Sequence, residues 1–153
     1  MGFVFRLERV LAVRCLQEET VQQRHAEALE RFRRAESALN DLHESLEQTL
    51  EELDDVKRRD ELTPEALHLH SLHTSGVRRS LQVARVECDR RSAEVERTAA
   101  ELLEAHRARE ALEKSREREL EAWRRDQSRR EANEIDEVAV SRRRAREEEN
   151  HGP

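Results

Sequence analysis

The sequence predicts an all-α protein: two long helices folded into an antiparallel coiled-coil hairpin, the second overhanging the first. Three observations lead there. Of the 153 residues only 35% are hydrophobic and 42% are charged, against roughly 45–50% and ~25% in ordinary globular chains, which excludes a broad buried core. The apolar residues recur at alternating spacings of three and four, the seam of a coiled coil rather than the scatter of a disordered chain. One proline-marked break divides that pattern, and neither half can bury its seam alone.

The first helix is expected over about residues 4–59. Positions 4, 7, 11, 14, 18, 21, 25, 28, 32, 35, 39, 42, 46, 49, 53 and 56 form its seam. Twelve of these sixteen are apolar: Val4, Leu7, Leu11, Val21, Ala28, Phe32, Ala35, Leu39, Leu42, Leu46, Leu53 and Val56. That is about eight heptads, beyond the three or four that argue a coiled coil. Arg14, Glu18, His25 and Thr49 interrupt the seam and are read as residues that set register and loosen packing locally.

A turn is expected at about 60–63. Lys57, Arg58 and Arg59 suit the negative end of a helix, and Thr63 before Pro64 is an N-cap followed by proline at the first helical position. The second helix then runs over about 64–147, leaving 148–153 as a frayed tail. Its seam, at 67, 70, 74, 77, 81, 84, 88, 91, 95, 98, 102, 105, 109 and 112, is poorer, with nine of fourteen positions apolar. Gly76 costs about 1 kcal/mol inside this helix and makes a kink plausible.

A short turn folds the helices back so that residue i faces approximately residue 124 minus i. Phe3, Phe5 and Leu7 then close around Leu120 and Trp123 at the far end. Cys88 falls opposite residue 36, roughly 30 Å from Cys15 at ~1.5 Å per residue, too far for a disulfide. Beyond about Arg124 the second helix has no partner within the hairpin, yet it carries Ile135 and Val138 on one face with Ala139 beside them. An unpaired apolar stripe of this kind awaits a partner.

Several function classes are excluded. The 35 acids and 29 bases nearly cancel, so there is no bulk attraction for nucleic acid. Arg142, Arg143, Arg144 and Arg146 are followed at once by acids and lack interleaved aromatics for stacking. Arg6 comes too early for a signal peptide and no apolar run approaches the ~20 residues of a transmembrane segment, so a cytoplasmic location is expected. His68, His70 and His73 resemble a ligand cluster, but on a helix His68 points about 160° from His70, so at most two converge and no metal is expected. Without a glycine-rich loop, nucleophile elbow or pocket, neither catalytic residues nor a cofactor is expected.

The opening Phe3-Val4-Phe5-Arg6-Leu7-Glu8-Arg9-Val10-Leu11-Ala12-Val13-Arg14 resembles the start of the flagellar FliJ family, in which Phe-x-Phe-x-Leu and an apolar-Leu pair lead into the first helix. The segment Glu131-Ala132-Asn133-Glu134-Ile135-Asp136-Glu137-Val138-Ala139 is similar to that family's closing pattern, an aliphatic-Asp-Glu-x-Ala core in acidic surroundings. The length and the single turn before the middle also fit.

The resemblance implies a non-catalytic component of the flagellar type III protein export apparatus, and hence a part in motility. Its fold would be similar to the central stalk of rotary ATPases. Its partners would be the hexameric flagellar export ATPase, the membrane export gate protein and the export chaperones, reached from the cytoplasmic face of the inner membrane. The family's gate contact, carried onto the start of the second helix, falls on His68, Leu72, Ser75 and Arg79. The ATPase contact is expected on the overhang, at Ile135, Val138, Ala139, Arg142, Arg143 and Arg146. The competing reading is a generic coiled-coil scaffold or tether, such as a parallel homodimer.

Overall fold

The computed structural model describes residues 2–60 and 62–149. Two long helices pack against each other as a hairpin, α1 at Glu8–Arg58 and α2 at Pro64–Glu149, with no strand among the described residues. The chain divides into two compact units, Gln17–Ala105 and Met1–Leu16 together with His106–Pro153.

The helices obey the seam read from sequence. All of its sixteen α1 positions except Val4 and Arg14, and all of its fourteen α2 positions except Leu67, are buried or half-buried. The core is thin: among the described residues only Phe5, Leu11, Ala28 and Val77 are buried apolar residues, and no large side chain is completely enclosed. Two helices alone shield each other on one side only, so most seam residues keep an edge in water.

Within Gln17–Ala105, the turn is built as its residue types suggest. Thr63 Oγ1 accepts from the Ala66 amide at 3.1 Å, and the Thr63 carbonyl accepts from Leu67 N at 3.0 Å. These bonds satisfy groups that the first turn of a helix leaves open. Asp60 follows the end of α1 with φ of 56°, the left-handed conformation that terminates helices and that Asp tolerates better than most residues. Of the expected turn, residue 61 lies outside the described residues.

Facing pairs fix the register of this unit. His25 Nδ1 meets Thr98 Oγ1 at 2.9 Å, Arg31 pairs with Glu94 at 3.2 Å, and Arg24 stands 4.0 Å from Glu101. All lie within one residue of the 124-minus-i relation. Thr98 has one hydroxyl proton, and the carbonyls of Glu94 and Val95, each at 3.0 Å, take it. The oxygen is left to accept, which makes His25 Nδ1–H the donor. Thr49, 4% exposed, likewise returns its proton to the Ser45 carbonyl at 2.8 Å.

Thr74 is the exception, because its buried Oγ1 has no hydrogen-bond partner. An unpaired buried hydroxyl costs about 1–3 kcal/mol in desolvation, whereas Val has nearly the same shape. Thr74→Val is therefore expected to stabilise the protein by about 1 kcal/mol, read as a higher urea midpoint at unchanged m-value. A lower midpoint would mean that the hydroxyl is satisfied in solution.

Arg91 occupies a seam position, where it is half-buried, and reaches sideways to Glu87 at 2.7 Å and Glu94 at 3.1 Å. The hydrogen bond from Arg91, aided by the charge of Arg31, holds the Glu94 carboxyl below the usual carboxylate range against the opposing effect of desolvation. A carboxylate whose folded value is depressed contributes stability that is complete above its unfolded value, about 4.3, and is lost as pH falls through the folded value. Glu94→Gln is expected to flatten the pH dependence of stability below about pH 4.3 relative to the parent, as measured by urea titrations at stepped pH. Equal slopes would rule out this pair as a source of acid sensitivity.

Gly76 lies within α2, which continues without interruption through it. A Cβ there would meet nothing within 4 Å, so no contact inside the chain requires glycine. Cys15 and Cys88 are both free and half-buried.

In the other unit, α1 begins at Glu8 rather than at residue 4. Residues 2–5 are not helical, and an extended segment alternates its side chains with period two. Phe3 is half-buried and Phe5 is 4% exposed, while Val4 between them is 84% exposed. The heptad frame therefore fails at Val4, although it holds at Leu7 and Leu11. The Glu8 amide closes the entry by donating to the Phe5 carbonyl at 3.2 Å. The second helix outlasts its expected end by two residues, to Glu149; the remainder of the expected tail, 150–153, lies outside the described residues.

Candidate functional site

Two exposed regions of α2 contain the residues that the sequence singled out for binding. The first is the stretch after the last contact with the amino-terminal segment. In this unit the Phe3 and Trp123 rings stand 6.2 Å apart at 56°, a tilted arrangement favoured by aromatic quadrupoles. Arg116 pairs with Glu8 at 3.2 Å. Leu7 and Leu120 are half-buried, and a shallow groove lined by Phe3, Val4, Trp123 and Arg130 marks how far the amino-terminal segment reaches.

From residue 128 to 147 every residue is exposed. Ile135 is 68% exposed and Val138 50%. Together with Ala139, Glu131, Glu134 and Arg142 they line an open groove along one side of the helix. Arg143 and Arg146 are exposed beside it. Val140 is 49% exposed, but two residues from Val138 it points to a different side. The structure thus brings Ile135, Val138, Ala139 and Arg142 together and leaves Arg143 and Arg146 at the margin.

The second region is the start of α2, in the other unit. His68, Leu72, Ser75 and Arg79 are all exposed, and Arg79 Nε bonds back to the Ser75 carbonyl at 3.4 Å. The exposed apolar surface is larger than those four positions suggest. Leu69, Leu72, Val83 and Val86 are between 54% and 71% exposed. Each sits two residues after a seam position, about 200° around the helix, so the four form a stripe facing away from α1. Leu69, Val83 and Val86 escaped the sequence reading because it followed one frame. A second frame, offset by two, would have found them. The same stretch, 66–86, contains no acidic residue although acids number 35 in the chain.

Among the described residues, no group of three or more His, Cys, Asp or Glu could hold a metal ion. His68 and His73 are exposed and His70 is half-buried. No described helix is long and apolar enough to cross a membrane.

No curated protein and no solved structure matches the chain. The family profile described as Flagellar FliJ protein does, over residues 3–148, from the Phe-x-Phe segment packed beside Trp123 to beyond the exposed arginines. A helical hairpin that matches this profile over nearly its whole length belongs to the flagellar FliJ family, a structural component of flagellar export.

Proposed function

We propose that this chain is a stalk-like, non-catalytic component of the flagellar type III export apparatus. It docks onto the hexameric export ATPase through the overhang, at Ile135, Val138, Ala139, Arg142, Arg143 and Arg146. It meets the membrane export gate through the outer face of early α2, around His68, Leu72, Ser75 and Arg79, and it receives the chaperones that deliver export substrates. It works peripherally at the cytoplasmic face of the inner membrane and needs no cofactor for this role.

One observation carries the reading. Ile135 and Val138 stand exposed on a helical segment that none of the other described residues covers, and isolated apolar surface on a stiff helix is a binding element in search of its partner. The stripe at Leu69, Leu72, Val83 and Val86 supports a second contact elsewhere on α2 in the same way. A helix pair reaching one partner with each region can transmit a bias between them.

The test is sedimentation of the purified chain with the purified flagellar export ATPase, together with the ATPase rate. Co-migration and a raised rate support the proposal; separate migration at an unchanged rate overturns it. Sedimentation of the chain alone separates the stalk from the scaffold, since the former is a monomeric hairpin and the latter a parallel dimer about twice as long.

A further inference from the structure

The open groove on the exposed stretch of α2 has a symmetry of its own. Its six lining residues fall into three pairs, each equidistant from a point between Asp136 and Glu137: Ile135 with Val138, Glu134 with Ala139, and Glu131 with Arg142. Asp136 and Glu137 themselves lie on the opposite side of the helix. The groove also adjoins a contact the chain makes within itself. The i, i+4 row Trp123, Gln127, Glu131, Ile135, Ala139 starts beside Phe3 and runs on into the open, and such rows are the ridges along which helices pack.

Glu131 and Arg142, at the two ends of the groove, are set apart by their neighbours. Elsewhere on α2 opposite charges pair at a spacing of four, as in Arg109 with Glu113 and Arg130 with Asp126. The neighbouring arginines keep this spacing or one of three, Arg143 and Arg144 with Glu147 and Arg146 with Glu149. Three and four residues to either side of Glu131 stand Gln127, Ser128, Glu134 and Ile135, and around Arg142 stand Val138, Ala139, Ala145 and Arg146. Neither has an opposite charge at the spacing that neutralises a helix surface, and each has a like charge there.

We propose that the groove is a self-pairing surface: the exposed stretches of two copies pack antiparallel about a two-fold axis between Asp136 and Glu137. Such an axis sets one patch against itself, and this patch is complementary to itself. Ile135 packs against the partner's Val138 and Val138 against the partner's Ile135, while Glu131 meets the partner's Arg142 and Arg142 meets the partner's Glu131. Parallel pairing sets Glu131 on Glu131 and Arg142 on Arg142, so the charges select one direction. Residues 128–145 span about 27 Å at ~1.5 Å per residue. With two large aliphatic side chains from each copy, the contact falls among transient interfaces, below about 1,200 Å². The chain is monomeric at low micromolar concentration and pairs where it accumulates, with a dissociation constant on the order of 100 μM. Pairing does not rest on docking onto the export ATPase, but it uses the same groove, so the chain enters the ring as a monomer and unbound copies shield each other's Ile135 and Val138.

The experiment is sedimentation equilibrium of the full chain at low salt, from about 10 μM to about 1 mM, a range that brackets the expected constant. Glu131→Arg and Arg142→Glu each place like charges in contact at both symmetry-related positions, and each is expected to weaken pairing by about tenfold with unchanged circular dichroism. They shift net charge in opposite directions, so a loss common to both does not come from net charge. Glu131→Arg together with Arg142→Glu exchanges the partners and is expected to restore pairing to within about threefold of the parent. Ile135→Asp with Val138→Asp is expected to stay monomeric throughout. A parent that is monomeric up to about 1 mM overturns the proposal. So does a parent that pairs while the single variants pair equally well, which moves the contact elsewhere or makes it parallel, and so do single losses that the double exchange fails to recover. No ATPase enters these measurements, so failure of pairing leaves docking to its own test, and failure of docking leaves pairing intact.

Discussion

Replacing Ile135 and Val138 together by aspartate is expected to weaken binding to the flagellar export ATPase by about a hundredfold or more while leaving the helix intact. Fully removing such a side chain from water contributes on the order of 1.5–3 kcal/mol, and about 2.7 kcal/mol separates two affinities that differ a hundredfold. Ile135 at 68% exposure and Val138 at 50% have most of that surface still to bury. The substitution also places two carboxylates where the partner offers apolar surface, a cost added to the lost contact. Both sites are solvent-exposed, so circular dichroism is expected to report parental helicity. The measurement is a binding isotherm alongside the ATPase rate. Parental binding and stimulation by the folded double mutant would remove the overhang as the docking element and leave the start of α2, around Leu67 and Leu72, as the better candidate.

Phe5→Ala is expected to destabilise the chain by about 3 kcal/mol. Truncating a buried aromatic costs about 3–5 kcal/mol, and the lower end applies because the surroundings are partly open: Phe5 itself is 4% exposed, but Phe3, Leu7 and Trp123 are only half-buried. Phe5 also comes just before α1, where its carbonyl accepts the Glu8 amide, so loosening its side chain loosens the start of the helix. With Phe3 6.2 Å from Trp123, the tryptophan reports the change directly. Its emission is expected to shift to the red as water reaches the ring. A parental denaturation midpoint with an unshifted spectrum would show that the closed end does not depend on Phe5.

The sequence by itself determined the fold class and the pairing of the helices, because the information is local and repetitive. A seam with period three and four can be read wherever it runs, and a proline after a capping threonine states where the second helix starts. Register followed because a short turn leaves little freedom: Thr98 opposite His25 and Glu94 opposite Arg31 lie where counting back from the turn puts them. The family match extends over residues 3–148, so it takes in both ends of the hairpin.

Other features depended on tertiary structure, for two physical reasons. A heptad frame describes only helical residues, and the amino-terminal segment is not helical up to Phe5, so Val4 turned outward between the half-buried Phe3 and the buried Phe5. A single frame also assigns each residue to one seam, and it cannot say which polar seam residues find partners or which other faces stay bare. Packing decided that Thr98 is satisfied by His25 and two carbonyls while Thr74 is left unpaired. It likewise decided that Leu69, Val83 and Val86 stay in water beside Leu72, since an apolar side chain is buried only where another surface comes to meet it, and α1 covers one side of α2.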